Sequence, residues 1–356
     1  MAGGRAPASP RPGGVFMKIG FLLQAVAAAG GLGNGVRLQG LSQARALSRL
    51  GHEVTLINPW DLRTADDFDI VHFFGGGFGY FGLESSSQKW IKKLVFSPII
   101  DSNQSFPSYR FAAKLGALWP GRIFTIPGEL GRQARASDLV VCRSAHEKER
   151  MIQSLGVDPH KCEIVRNGVD PPPPCDPDGV RRRLQLPERF VLHVSAYTQS
   201  RKNVARLIQA VGPTGLPLVI AGTAVPGPDL DQIQELARAH ANVTLLGWQD
   251  QKTLYDLYAA CTVFCLPSVH EGTGLAALEA AACGAEIVIT KNGGPPDYFG
   301  DMATYVDPSD TSGIRRAVLE LWERPKGDRL QRHVLQNLTW DRSAEKLVEC
   351  YQRLTG

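Results

Sequence analysis

The chain has 356 residues, of which 43% are hydrophobic and 21% charged, the balance of a soluble globular protein with room for two domains. No apolar run approaches the roughly 20 residues of a membrane-spanning helix. The net charge of +4 is uneven, because residues 1–170 hold 20 basic and 14 acidic side chains. An anionic membrane surface or a phosphate-bearing acceptor would suit this basic half, and ordinary variation in surface charge also explains it.

The N-terminus begins with residues 1–16, MAGGRAPASPRPGGVF, whose Gly, Pro and Ala content predicts a disordered tail. The first strand is expected to start at Met17. Lys18, an apolar run and three alanines imitate a signal peptide. Cleavage there would remove the first strand, so we interpret the protein as cytoplasmic.

The seven cysteines are odd in number and scattered along the chain. Cys261 and Cys265 lie four residues apart, but no second Cys or His pair accompanies them, so the sequence predicts no zinc site. Reduced thiols in a cytoplasmic protein are the better interpretation.

Apolar runs alternate with helical patterns, which predicts parallel sheets with helices on both faces. Four prolines at 171–174 interrupt the alternation and are expected to form a stiff linker. The predicted fold class is α/β, with two doubly wound, Rossmann-like domains at residues 17–172 and 173–339 facing a crevice. The predicted strands are residues 18–24, 53–57, 70–74, 139–142, 190–195, 218–221, 243–246, 263–266 and 287–290.

A nine-residue stretch, EGTGLAALE, begins at Glu271 and leads from a predicted strand into a predicted helix. Gly272 and Gly274 permit close approach of the backbone, and the helix begins near Leu275. Its free N–H groups and positive dipole end favour a diphosphate. Either glutamate alone is typical of a solvated surface residue. Glu279, however, stands among Leu and Ala, where an unpaired carboxylate is costly.

Two more loops follow predicted strands. Arg201 and Lys202, with Asn203 after them, can neutralise a diphosphate, the Arg through paired hydrogen bonds and the Lys as a point charge. A surface charge pair is the default interpretation of two adjacent basic residues. The glycine-rich loop at 30–35 fits neither the dinucleotide-binding pattern nor a P-loop, so it is a weak signal by itself.

Taken in order, these features resemble the GT-B glycosyltransferases of family 4, a retaining group with many bacterial cell-surface sugar transferases. The resemblance covers nearly the whole chain from Met17. Its most specific element is the spacing of the two glutamates, with Cys-Gly after them. The motifs that carry it are GGLG at 30–33, LGHEV at 50–54, DIVH at 69–72, NGVD at 167–170, RKN at 201–203, EGTGLAALE at 271–279, ACG at 282–284, GG at 293–294 and WD at 340–341.

The resemblance implies a role for each matching residue. Arg201, Lys202 and Glu271 would be catalytic, the two cations on the diphosphate and the glutamate beside the donor sugar. Glu279 would hold the ribose, and the C-terminal helix, within residues 340–356, would return to the N-terminal domain. Segment 246–248 matches the one that touches the base. The other donor-binding residues implied are Gly31, Gly33, Gly247, Trp248, Gly272, Thr273, Gly274 and Leu275.

The family pattern is incomplete in this chain. Where the family often has a His in a Thr-x-His-Asp setting, residues 98–101 read PIID. Asp101 or Asn103 would then replace the contact to the transferred sugar, and His72 is another acceptor-side candidate. Three further departures could change the sugar preference, namely Thr273 for Phe, Ala276 for Pro and Asp297 for Glu.

Sugar transfer leaves negative charge on the nucleoside diphosphate. Cations and a helix N-terminus placed where that charge develops stabilise the transition state. We therefore expect no metal and no cofactor, with the nucleotide sugar as co-substrate. Asp67 and Asp69 form a D-x-D sequence like the metal-binding motif of the other glycosyltransferase fold, but its position before a strand is typical of a turn.

The predicted substrates are a UDP- or GDP-sugar and a saccharide or lipid-linked acceptor, for cell-surface polysaccharide or glycolipid synthesis. Nucleic acid is not an expected partner. Residues 89–94, KWIKKL, mix an aromatic residue with three lysines, which suits peripheral contact with the inner face of a membrane. A solvated helix face with one packed Trp is the alternative.

Other functions remain open at this level, namely a GT-B nucleotide-sugar epimerase, a phosphorylase, or a non-catalytic paralogue that binds nucleotide or a partner. An epimerase needs further acid/base residues and a phosphorylase needs a pyridoxal lysine, and neither is identifiable. The presence of both cations and both glutamates argues against the non-catalytic paralogue, whereas the missing His argues for it.

Overall fold

The computed structural model describes residues 16–24, 35–58, 67–77, 91–118 and 124–356. The chain divides into two compact units. Unit 1 comprises the residues up to Asn167 together with Trp340–Gly356, and unit 2 is Gly168–Thr339. Of the predicted tail, only Phe16 lies within the described residues.

Unit 1 contains a six-stranded parallel sheet in the order β2-β1-β3-β4-β5-β6. The five residues of β3, IVHFF, are all buried, as expected for a strand covered on both faces. The strands are β1 (Lys18–Leu23), β2 (Glu53–Leu56), β3 (Ile70–Phe74), β4 (Leu94–Ser97), β5 (Leu139–Cys142) and β6 (Cys162–Ile164), and the helices between them are α1 (Gly35–Arg49), α2 (Phe106–Leu118), α3 (Ile126–Ala136) and α4 (Ala145–Leu155).

Unit 2 contains a second six-stranded parallel sheet, in the order β12-β11-β10-β7-β8-β9. The winding direction reverses between β7 and β10, which makes this pair the topological switch point of the sheet. The strands are β7 (Val191–Val194), β8 (Leu218–Ala221), β9 (Val243–Gly247), β10 (Val263–Leu266), β11 (Glu286–Thr290) and β12 (Thr304–Val306), and the helices are α5 (Pro177–Leu184), α6 (Val204–Val211), α7 (Pro228–Arg238), α8 (Gln251–Ala260), α9 (Leu275–Ala282), α10 (Pro295–Phe299), α11 (Thr311–Glu323) and α12 (Arg329–Asn337).

Alternating side chains on the central strands of unit 2 enter two separate hydrophobic clusters. Leu192 and Phe264 belong to one cluster, and their neighbours Val191 and Val263 to the other. Successive side chains of a strand point to opposite faces, so the sheet carries a core on each side. This arrangement fixes the carboxyl ends of β7 and β10 rigidly beside each other.

The C-terminal helix α13 (Trp340–Thr355) belongs to unit 1, where it packs on α1. Gln43 Nε2 donates a hydrogen bond to Ser343 Oγ at 3.1 Å, and Arg49 forms an ion pair with Asp341 at 2.6 Å. The helix returns to the first sheet, as the resemblance implied.

The structure contains every strand that was predicted and adds β4, β6 and β12. The predicted boundary at 172/173 differs from the division of the chain, which falls after Asn167. Val169 N–H donates to Leu338 O at 2.9 Å and the residue pairs with Thr339, so these bonds tie the segment to unit 2. The four prolines therefore lie inside unit 2 and do not form the linker.

We predict that Gly222→Ala lowers the free energy of unfolding by about 3 kcal/mol or more, because φ there is +128° and a Cβ would lie 1.8 Å from Ser195 O. Gly215→Ala is the matched control. Its φ is +76° with no atom within 4 Å of a Cβ, so only about 1 kcal/mol of strain is expected. Urea unfolding followed by tryptophan fluorescence measures both, and equal losses would contradict the prediction.

Candidate active site

The loops after β7 and β10 meet at the switch point of unit 2. The first loop ends in a short 3-10 turn, Ser200–Lys202. Val269 N–H, from the second loop, donates to Arg201 O at 2.8 Å, and Asn203 Nδ2 donates to Pro267 O at 2.9 Å. These two bonds hold the candidate residues of both loops in register.

Lys202 and Glu271, predicted separately from the sequence, form an ion pair at this point. Lys202 Nζ lies 2.6 Å from Glu271 Oε1, with the side chains only 13% and 7% exposed. Desolvating two charges is expensive, so a buried pair is weak evidence for stability. Its place at a switch point favours a role in ligand binding.

Two buried polar atoms near this pair have no hydrogen-bond partner within the described part of the chain. They are the NH1 nitrogen of Arg201 and the Oγ of Ser268, a residue that is fully buried. Buried polar groups are almost always hydrogen-bonded, and an exception calls for an explanation. An anionic ligand would accept from both.

The backbone of Glu271 is fixed by the turn that follows β11. Glu271 N–H donates to Asn292 O at 3.2 Å, and its carbonyl accepts from Gly294 N–H at 2.9 Å. Gly293 has φ +103°, and a Cβ there would lie 2.0 Å from Glu271 O. The glycine pair seen in the sequence thus supports the position of Glu271.

Helix α9 begins directly after this segment, as predicted. Its N-cap is Gly274, in the left-handed region at φ +79°, and no side chain in the described ranges caps the helix. Gly272 and Thr273 are buried, with Thr273 Oγ1 3.3 Å from Tyr298 OH, and Leu275 packs partly on the core. The Thr273 side chain therefore supports the turn, and the backbone N–H groups at the start of α9 are the donors that this turn offers.

Glu279 lies on α9 in largely apolar surroundings and is only partly exposed. Tyr258 OH donates to its Oε2 at 3.1 Å. Burial raises the pKa of Glu279 to about 7, against the hydrogen bonds from Tyr258 and Gln251. The carboxyl group can therefore exchange its proton near neutral pH, and a ligand hydroxyl that donates to it would favour the ionised form.

His193, in the middle of β7, was not predicted as part of the site. Its Nδ1 lies 2.8 Å from Cys265 O and must donate there, so Nε2 accepts from Ser195 Oγ at 2.7 Å. Burial lowers the pKa of His193 to about 4, which keeps the ring neutral. The only signal in the sequence was one His within an apolar run.

The remaining donor-side predictions fall in two places. Gly247 ends β9 at φ +68°, and its carbonyl accepts from Gly222 N–H at 2.8 Å. Trp248 next to it is 58% exposed, which leaves its ring available for stacking. Gly31 and Gly33 lie outside the described residues.

His72, predicted on the acceptor side, is a core residue of unit 1, and this prediction is corrected. It is fully buried, with Nδ1 2.6 Å from Tyr351 OH and Nε2 2.8 Å from Ser97 Oγ. Burial lowers the pKa of His72 to about 3. Its position inside the all-buried strand β3 explains the error, because the ring joins the sheet to α13.

Asp101 and Asn103 are exposed in the loop after β4. Arg143 donates to Asp101 Oδ1 at 3.1 Å and to Glu147 Oε1 at 2.8 Å. Glu147 in turn accepts from Ile100 N–H at 2.7 Å. Asp101 is thus partly neutralised by a cation that sequence reasoning did not identify.

Two sequence patterns acquire structural explanations. Asp69 Oδ2 accepts from Lys18 N–H at 2.8 Å, so the D-x-D sequence fixes the start of β1. Residues 89–94 do not form a helix face where they are described, because Leu94 opens the buried strand β4; Lys89 and Trp90 lie outside the described residues. None of the described helices is long and apolar enough to cross a bilayer.

Two family models match the chain in succession. Residues 33–172 match Glycosyltransferase Family 4, and residues 180–337 match Glycosyl transferases group 1. The chain belongs to the family 4 glycosyltransferases of GT-B fold.

The chain is similar to several curated proteins. D-inositol 3-phosphate glycosyltransferase of Rhodococcus erythropolis is 30% identical over 61% of this chain and 54% of the relative. Alpha-maltose-1-phosphate synthase of Mycolicibacterium smegmatis is 26% identical over 62% of this chain and 64% of the relative. The chain spans about half the length of the first of these curated relatives.

Two solved structures share its fold over 95% of the chain. Sucrose-phosphate synthase from Thermosynechococcus elongatus superposes with a TM-score of 0.73 at 16% identity, over 99% of that chain. Anabaena HepE in complex with UDP-glucose superposes with a TM-score of 0.71 at 17% identity, over its whole length. At these identities the likeness establishes the fold alone.

We predict that Glu279→Gln raises the free energy of unfolding at pH 8 by about 2–3 kcal/mol and much less at pH 4. The folded-state pKa of about 7 lies above the ordinary 4.5, so the wild type loses stability as pH rises between those values. Gln stays neutral and escapes that loss. Urea titrations at both pH values measure the difference, and an equal effect at the two would contradict the burial argument.

Proposed function

We propose that this chain is a retaining glycosyltransferase that moves a sugar from a UDP- or GDP-sugar to a saccharide or lipid-linked acceptor. Family membership supports glycosyl transfer, and the resemblance described above suggests retention of anomeric configuration. The proposed pathway is cell-surface polysaccharide or glycolipid synthesis. HepE, which shares the fold, was solved in complex with UDP-glucose, and UDP is therefore the first nucleotide to test.

The observation that carries the proposal is the buried Lys202–Glu271 pair beside the NH1 of Arg201, which has no hydrogen-bond partner among the residues that the structure describes. A diphosphate can accept from both cations, while a sugar attached to it can donate hydroxyl hydrogens to Glu271. One ligand therefore satisfies a cation pair, an orphaned donor and a carboxylate.

The proposed mechanism follows from where charge develops. As the anomeric bond breaks, negative charge grows on the departing nucleoside diphosphate, where Arg201, Lys202 and the N-terminus of α9 stabilise it. Glu271 orients the sugar, and Glu279 accepts from a ribose hydroxyl. Since two cations balance the phosphate charge, we propose transfer without a metal ion.

We predict that Lys202→Ala weakens binding of the cognate nucleoside diphosphate by about 1.5–3 kcal/mol, or roughly 10–150-fold, the range for a hydrogen bond to a charged group. Isothermal titration calorimetry with UDP, GDP and ADP identifies the base and measures the loss. Lys346→Ala is a matched control, because Lys346 forms an exposed ion pair with Glu349 on α13, in unit 1. Unchanged affinity in Lys202→Ala would mean that the phosphate binds elsewhere.

Glu271→Gln separates sugar orientation from phosphate binding. In the wild type the Glu271 carboxylate competes with phosphate for Lys202, so its removal should leave diphosphate affinity equal or higher. Transfer should fall by about 100-fold or more, because an oriented contact to the reacting sugar is lost. If Glu271→Gln also loses diphosphate affinity, Glu271 maintains the conformation of the loop and does not act on the sugar alone.

Turnover tests the whole proposal. Incubation with UDP- and GDP-sugars should release nucleoside diphosphate, with or without a chelator, and the proton coupling of the product's anomeric centre should report the donor's configuration. Absence of turnover with every nucleotide sugar, despite tight diphosphate binding, would favour the non-catalytic paralogue. Loss of turnover on addition of a chelator would contradict the proposal that transfer needs no metal ion.

A further inference from the structure

Unit 1 exposes several large apolar side chains in the middle of α2 and at the start of α3. Phe111 on α2 is 70% exposed, Ile126 on α3 is 55% exposed, and Phe124 just before α3 is 51% exposed. Leaving such side chains in water forgoes burial worth about 1.5–3 kcal/mol each. A cluster of them therefore calls for a partner.

The three side chains belong to one surface, because α2 and α3 pack closely here. Thr125 Oγ1 donates to Ala112 O at 2.8 Å, and a Cβ on Gly116 would lie only 3.6 Å from the Cα of Gly128. Phe124 and Ile126 flank Thr125, and Phe111 precedes Ala112. We call Phe111, Phe124 and Ile126 the α2–α3 patch.

The exposed charged side chains of α2 and α3 are all cations. Arg110 and Lys114 are exposed on either side of Phe111 along α2. Arg132 and Arg135 are exposed on α3, whose one acidic residue, Glu129, is buried and paired with Arg132. The exposed aromatic and aliphatic side chains thus lie on two helices whose exposed charges are all positive.

This composition fits an anionic bilayer better than a second copy of the chain. Aromatic side chains insert at the level of the lipid headgroups, and neighbouring Lys and Arg side chains attract the headgroup phosphates. A twofold contact between two copies would place the same cations opposite each other. Charge complementarity therefore selects the lipid surface.

We propose that the α2–α3 patch docks the protein on an anionic membrane surface, with the apolar side chains inserted among the headgroups. The contact lies on a different segment from residues 89–94, the membrane candidate of the sequence. The docking itself is independent of catalysis, and only its purpose, access to a lipid-linked acceptor, rests on the proposed function.

The test uses the full chain with vesicles of phosphatidylcholine alone and of phosphatidylcholine mixed with phosphatidylglycerol. Sedimentation should recover the protein with the anionic vesicles only, and added salt should release it. The double variant Arg110→Gln, Lys114→Gln should bind about 30-fold more weakly, roughly fivefold for each cation lost. The triple variant Phe111→Ser, Phe124→Ser, Ile126→Ser should lose binding to the same vesicles.

Val225→Ser is the matched control, since Val225 is 69% exposed in unit 2 and lies outside the patch. It should bind vesicles as the wild type does. A thermal unfolding temperature equal to that of the wild type shows that a variant is folded. If the triple variant does not fold, vesicle binding by the double variant tests the proposal. Equal binding to neutral and anionic vesicles, or wild-type binding by the double variant, would overturn the proposal.

Two measurements separate this inference from the proposed function. The triple variant should bind nucleoside diphosphate like the wild type in calorimetry, because the candidate donor site lies in unit 2. If the protein binds anionic vesicles but no nucleotide, the docking proposal stands and the proposed function is wrong. A wild-type dimer that the triple variant does not form would identify the patch as a contact between copies instead.

Discussion

The Lys202–Glu271 ion pair is the interaction on which the candidate site depends. Two opposite charges are held 2.6 Å apart with little exposure, at the one place in unit 2 where the winding of the sheet reverses. Because desolvating both charges can cost as much as their attraction gains, a contribution to stability is a weak explanation for this pair. Each member of the pair compensates the charge of the other, and under the proposed function a phosphate and a sugar would take over the two partners together.

The surroundings of this pair explain how its geometry is maintained. Asn203 adopts φ +61°, which is costly for a residue with a side chain, yet its Nδ2 donates to both Pro267 O and Pro308 O. On the opposite side, the close approach of Gly293 fixes the carbonyl of Glu271. Strain is concentrated at the loop ends, where a rigid core on both faces of the sheet can sustain it.

Sequence reasoning assigned Arg201, Lys202 and Glu271 to one candidate site because each follows a buried strand, and the carboxyl ends of parallel strands share an edge. It could not show that Lys202 pairs with Glu271, since the strand order 10-7 is set by packing across the sheet. It also missed β4, β6 and β12, which are only three or four residues long and show little periodicity. His72 was misjudged for a related reason, because burial inside β3 depends on the helices that cover it.

In unit 1, as in unit 2, a strained backbone conformation occurs in a loop just after a strand. Ile99 has φ +52°, an uncommon value for a β-branched residue, in the loop after β4. The next residue is held by Glu147, which accepts from Ile100 N–H, and Arg143 donates to Ile100 O at 3.1 Å. A buried ion pair between Arg143 and Glu147 thus fixes the backbone that carries Asp101. Because unpaired burial of either charge is costly, replacing one partner would release the strained loop as well as break the pair. The conformation of this loop is therefore fixed by contacts within the protein, as is the conformation of the loops that carry Lys202 and Glu271.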